Sequence, residues 1–175
     1  MASRGTSYDV NTRSSTGTWS YTYGGVTKSA TKSITQAKNV ITSVSVTSTP
    51  GTITGTTGVA AAGATVSLTA TAASASAKLT FSSTSTVTTN YNDTTYGTWT
   101  FHGYSGSSSN TSVATVGTVG YNAVSVTVSN NKSDSTREAT ITRSEAGFTF
   151  TLSSSYNNGA TSGKSTGTSC TCKVY

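Results

Sequence analysis

The sequence predicts an all-β protein of the sandwich type, and three observations predict it. Apolar and polar residues alternate with a period of two along most of the chain, while helical spacing is nearly absent. Ser and Thr together supply 72 of the 175 residues, and Thr, Val and Tyr favour strands. Gly, Ser and Asn fill short polar gaps at the spacing of sandwich turns. Disorder is the competing reading, because Leu, Ile, Val and Phe number only 26. A net charge of +6 is too modest to support it, and nine Tyr with two Trp supply large buried area per residue.

Eleven stretches read as strands, in order: TWSYTY (18–23), KSITQA (32–37), VITSVSVTS (40–48), ATVSLTATA (64–72), KLTFSS (78–83), TWTFHGY (98–104), TSVATVG (111–117), AVSVTVS (123–129), EATITRS (138–144), GFTFTLSS (147–154) and SCTCKVY (169–175). In the first, Trp19, Tyr21 and Tyr23 share a face; in the sixth, Trp99 and Phe101 do. In the hairpin 124–144, Val124, Val126, Val128, Ala139 and Ile141 are expected in the core, with the polar turn 129–136 projecting outward. Pro50 marks a turn or strand edge, and 88–97 reads as the longest loop. Cys170, Cys172 and Val174 fall on one face of the last strand, where a bridge between the two cysteines would be strained. Buried, unbridged thiols are expected.

Catalytic chemistry is not legible. The one histidine, His102, lies inside a strand, and the five carboxylates (Asp9, Asp93, Asp134, Glu138, Glu145) are scattered. Asp134 and Glu138 flank a turn with Lys132 and Arg137 as nearby partners. Metal-ligand spacing, phosphate loops and dinucleotide fingerprints are missing, so neither an enzyme nor a cofactor is expected. The N-terminus lacks an apolar signal-peptide core, and no run of 18 apolar residues exists, so the expectation is synthesis and retention in a cytoplasm, away from membranes.

The chain echoes itself. SYTYGGVTKSATKSITQA (20–37) has the layout of VTVSNNKSDSTREATITRS (126–144): a strand, a polar Lys-bearing loop, and a strand with Ile-Thr near its end. Each runs directly into a further strand. This register divides the chain into 1–38, an arm and hairpin ending one partial module; 39–145, a complete module; and 146–175, strands beginning another and available to pair with 1–38.

At these residues the chain resembles bacterial immunoglobulin-like domains of the Big and BACON-like kind. ITSVSVTST, AAGATVSLTATA, KLTFSSTS and SNTSVATVG follow the Big-type strand order, and VSVTVSNNKSDSTREATITRS resembles the BACON-type closing hairpin. The resemblance covers 39–145, with weaker cover of 13–38. It implies an immunoglobulin-like β-sandwich, with a second, smaller sandwich or sheet built from both termini. Such domains serve as spacers and adhesive modules on bacterial surfaces and as additions to virion proteins of tailed phages, which assemble in the host cytoplasm. The expectation is therefore a non-enzymatic virion protein: a capsid decoration or head-fibre protein, or a tail-associated one. The alternative is a glycan-binding or adhesive module.

Candidate contacts follow. Residues 1–40 carry +4 of the net charge, which fits either edge-protecting lysines or an arm docking on an acidic surface of the capsid or tail; the arm would use Arg4, Tyr8 and Arg13. Tyr91, Tyr96 and Tyr104, with His102 nearby, are the candidates for a platform binding host-surface glycans. Strand pairing between fragments would give a homo-oligomer. Nucleic acid is not expected as a partner, because no dense basic cluster interleaved with stacking aromatics is legible.

Overall fold

The structure, a computed structural model, describes residues 12–55, 64–156 and 162–175. They form fifteen strands and no helix. Strands β1 (Arg13–Tyr23) and β2 (Val26–Gln36) pair only with each other. The remaining strands build a sandwich in two halves.

In one half, the sheet β10–β11–β5–β4 (Ala114–Val119, Ala123–Val128, Thr65–Ala70, Ile53–Thr54) faces the sheet β15–β12–β9 (Thr168–Val174, Ala139–Glu145, Tyr104–Ser108). In the other, β3–β6–β7 (Ile41–Thr49, Ser74–Phe81, Thr86–Asn90) faces β14–β13–β8 (Ser162–Lys164, Phe148–Leu152, Gly97–Phe101). All pairings are antiparallel.

The two halves are not separate modules, because the same strands run through both. Consecutive strands β3/β4, β5/β6, β8/β9, β12/β13 and β14/β15 are each one long strand bent at a common level. Hydrogen bonds cross the bend: Thr71 N–H donates to Thr52 O at 2.9 Å, His102 N–H to Gly147 O at 3.1 Å, and Ala146 N–H to Gly103 O at 3.0 Å. Along β12 the buried positions are Ala139, Ile141, Arg143 and Glu145; along β13 they are Phe148, Phe150 and Leu152. One extra residue is thus inserted at Ala146–Gly147, as in a β-bulge, which bends the strand while keeping its apolar side inward. Pro50 sits at the same level, where a missing N–H does least harm to a ladder.

Each half has its own core. Ile53, Leu68, Val113, Val124, Val126, Val128, Ala139, Ile141 and Val174 fill the first, with Cys170 and Cys172 half-buried against it as free thiols. Ile41, Ala77, Leu79, Phe81, Phe150 and Leu152 fill the second. Ala73, Ala75 and Phe148, packed with Tyr91, Trp99 and Phe101, join them at the bend, or waist. Each fully buried Leu, Ile or Phe contributes roughly 1.5–3 kcal/mol by leaving water.

The all-β sandwich expected from period-two alternation is the architecture observed, and the five core positions expected in the 124–144 hairpin are buried or nearly so. Three expectations need correction. The boundary drawn at 145/146 cuts through a continuous sheet: β12 pairs with β15, and β13 with β8. Among the described residues, the strands of 146–175 therefore do not pair with those of 1–38; they pair with β8, β12 and one another instead. The loop expected at 88–97 is shorter, since β7 runs to Asn90 and β8 starts at Gly97.

Candidate docking surface

The β1–β2 hairpin is built by its turn. Gly24 and Gly25 have φ of +56° and +79°, so the two-residue turn is type I′, which matches the twist of the flanking strands. That turn sets the register. Trp19 stands opposite Ala30, Tyr21 opposite Lys28, Tyr23 opposite Val26, Gly17 opposite Lys32 and Ser15 opposite Ile34. Residues opposite one another share a face, so the two faces differ completely. One carries Ser14, Thr16, Thr18, Ser20 and Thr22 against Thr35, Ser33, Thr31, Ser29 and Thr27, hydroxyls throughout. The other carries every aromatic, aliphatic and cationic side chain of the hairpin.

Every residue of both strands is exposed. Trp19 is 78% exposed, Tyr23 77% and Ile34 66%, values far from those of strand residues that cover a core. A two-stranded hairpin alone in water is marginal. This one is lengthened by eleven register pairs and by hydroxyl contacts such as Thr22 to Thr27 at 2.8 Å, yet its apolar face contributes no burial.

Electrostatics are one-sided. Lys28 and Lys32 lie on the aromatic face with Arg13 at its far end, and residues 12–38 contain no carboxylate. Three of the four carboxylates elsewhere in the described residues are bonded or buried, and the fourth, Asp134, is exposed in the 129–136 turn. Glu138 binds Lys173 at 2.9 Å, a partner on β15 rather than the neighbouring Lys132 or Arg137. Asp93 accepts from the Thr95 hydroxyl at 2.6 Å and from its N–H at 2.9 Å, which hold its carboxyl below the usual range. Glu145 is buried.

At the waist, Arg143 and Glu145 form a buried pair, with Nη1 and Oε1 3.2 Å apart. Arg143 also donates to the carbonyls of Thr71 (2.7 Å) and Gly120 (3.0 Å) on the opposite sheet, and its guanidinium lies 4.1 Å from the centre of the Tyr104 ring. Glu145 accepts from Ala73 N–H at 3.1 Å and from the Thr168 hydroxyl at 3.2 Å. The pair clips the two sheets together at the waist, beside the apolar cluster of Ala73, Ala75 and Phe148. Beside it is a shallow groove of about 390 Å³, lined by Thr47, Ser48, Asn90, Tyr91, Asn92 and Tyr121 among others.

Arg4 and Tyr8 lie outside the described residues; Arg13 opens β1 on the aromatic face, opposite Gln36. The three candidate glycan tyrosines do not make a platform. Tyr96 packs on Phe81 and Tyr156, and Tyr104 on Phe101 and Arg143. Tyr91 packs edge-on against Trp99 and Phe148, and it alone of the three lines the groove. Tyr91 and Tyr104 serve the waist, and Tyr96 the second core. His102 sits at the bend, its Nε2 2.6 Å from the Thr149 hydroxyl. Among the described residues, no three His, Cys, Asp or Glu side chains converge as metal ligands.

No protein-family model, curated protein or solved structure matches this chain.

Sequence reasoning missed two features. Trp19, Tyr21 and Tyr23 were placed on one face, but not with Lys28 and Lys32; the Gly24-Gly25 turn was the signal, since a two-residue turn dictates which residues face each other. Arg143 left no signal, because an Arg in an alternating strand reads as exposed.

Proposed function

We propose that this chain is a non-enzymatic structural protein of a tailed-phage virion, an accessory component that docks on the particle through its N-terminal hairpin and presents the sandwich outward. The observation that carries the reading is the β1–β2 hairpin, whose 22 strand residues are all in solvent although one face is aromatic. Such a face belongs in an assembly. The resemblance of 39–145 to Big and BACON-like modules supports a virion as that assembly, with the capsid as the favoured location and the tail as the other. The hydroxyl-rich, weakly charged sandwich supplies a rigid outer surface rather than chemistry. Mass spectrometry of purified particles from the source that encodes the chain, with immunogold electron microscopy, tests this. Stoichiometric presence on the head is expected, and absence from the particles would sink it.

A second reading, glycan binding, rests on the waist groove, where Tyr91 and the 61%-exposed Tyr121 stand among Asn90, Asn92 and hydroxyls. Aromatic faces with amide and hydroxyl donors suit sugar rings. Binding on a glycan array that Tyr121→Ala abolishes would favour it; silence of the folded protein would remove it.

A further inference from the structure

We infer that the aromatic face of the β1–β2 hairpin is a docking surface for an apolar patch flanked by carboxylates on another protein. The inference deepens the reading of the chain as an assembly component and rests on it for the partner's being a protein.

The face has the pattern of one that is covered. Ile34-Thr35 in β2 occupies the place of Ile141-Thr142 in the echoing strand β12, and Ile141 is fully buried beneath a second sheet. Ile34 lacks that sheet. Among the described residues nothing of this chain supplies it, since β1 and β2 pair only with each other and β13–β15 are engaged elsewhere. Three aromatic rings of roughly 150–250 Å² each, with Val26 and Ile34, approach the ~800 Å² that one side of a stable interface buries.

Charge selects the occupant. Along β2 the face reads Val26, Lys28, Ala30, Lys32, Ile34, so apolar and cationic positions alternate beside the aromatic column of β1. A second copy is a poor match: it brings the same lysines, and of its described carboxylates Glu145 is buried and Glu138 and Asp93 are already bonded, which leaves the exposed Asp134 alone to answer two lysines. A nucleic-acid strand needs a continuous cationic track, whereas here the lysines are four residues apart, about 13 Å, with Ala30 between them. A protein surface with an apolar centre and a few fixed carboxylates satisfies both sets of side chains, the rings anchoring and the lysines orienting.

Selection of a displayed random-peptide library on the immobilised full chain tests the inference. Enriched peptides are expected to place Asp or Glu beside large apolar residues. Their binding should fall roughly tenfold or more both in Trp19→Ala/Tyr21→Ala and in Lys28→Glu/Lys32→Glu. The hairpin buries no core, so the thermal midpoint of the sandwich should be unchanged in these variants, separating lost docking from lost folding. Failure to enrich any peptide, or binding that survives both variants, would overturn the inference. So would tighter binding of an oligothymidylate than of the selected peptides, or a self-association that Trp19→Ala dissolves. Absence from particles with the peptide result intact removes only the virion reading; retention on particles by Trp19→Ala/Tyr21→Ala removes only this surface.

Discussion

Arg143 and Glu145 show how one pair of side chains can tie two sheets together at a bend. Both are buried, and their bonds reach Thr71, Ala73, Gly120 and Thr168. Removing one partner leaves the other charge buried without compensation. Arg143→Ala should cost about 3–5 kcal/mol in chemical denaturation, and Arg143→Met with Glu145→Gln should cost clearly less than the sum of the two single changes. A pair whose costs simply added would not be acting as one clip. Two neighbours link stability to alkaline pH. Burial pushes the Cys170 thiol and the Tyr104 phenol above their ordinary values. The folded state therefore keeps both protonated after the unfolded chain has begun to lose its protons. Their stabilisation is complete below the ordinary thiol and phenol pKa values and is lost as pH rises through the raised ones. The denaturation midpoint should fall as pH rises past the ordinary thiol value of about 8.5, and Cys170→Ala with Tyr104→Phe should flatten that fall.

At the scale of elements, the bend in the long strands is what separates this sandwich from a simple one. Gly147 makes the bend in β12/β13 with φ of +95°, and a Cβ there would lie 2.7 Å from the Ser165 carbonyl oxygen. Gly147→Ala therefore meets both backbone strain and backbone crowding, and should lower stability by about 1–3 kcal/mol in thermal or chemical unfolding. A substitution that left stability unchanged would mean the bend can relax elsewhere. Most strands were legible from alternation alone, because period two reports directly which side faces a core. The bends were not. TWTFHGY reads as one strand, yet it breaks at His102–Gly103 into β8 and β9, since a single inserted residue barely disturbs a local pattern. The strand β7 (Thr86–Asn90) was also hidden, being Thr-rich with Val87 as its only aliphatic residue.

The whole molecule should behave as one cooperative unit apart from the hairpin. Trp99 packs in the second core and Ile141 in the first, and β12/β13 runs through both. In a Trp19→Phe background, which removes the exposed hairpin tryptophan from the signal, Ile141→Ala should shift the Trp99 fluorescence transition by about 2–5 kcal/mol. Its midpoint should coincide with that of circular dichroism. A Trp99 transition blind to Ile141→Ala would show instead that the halves unfold independently. The same continuity explains why module boundaries drawn from sequence echoes failed at 145/146. An echo records similar strand patterns, and such patterns do not state which strands will be hydrogen-bonded neighbours.

By itself the sequence determined the all-β class, the inward positions of most strands, the two cysteines on one face of the last strand, and the shared face of Trp19, Tyr21 and Tyr23. These are properties of local alternation and turn chemistry, which act over a few residues. Only the tertiary structure decided that 146–175 completes the sheets of 39–145, that Tyr91 and Tyr104 pack at the waist and Tyr96 against the second core rather than forming a shared surface, and that Arg143 is buried. Those outcomes depend on contacts between residues far apart in the chain. It also decided which aromatic face stays open: Trp19, Tyr21 and Tyr23 alternate just as Trp99 and Phe101 do, and only the presence or absence of an opposing sheet distinguishes a core from a docking surface.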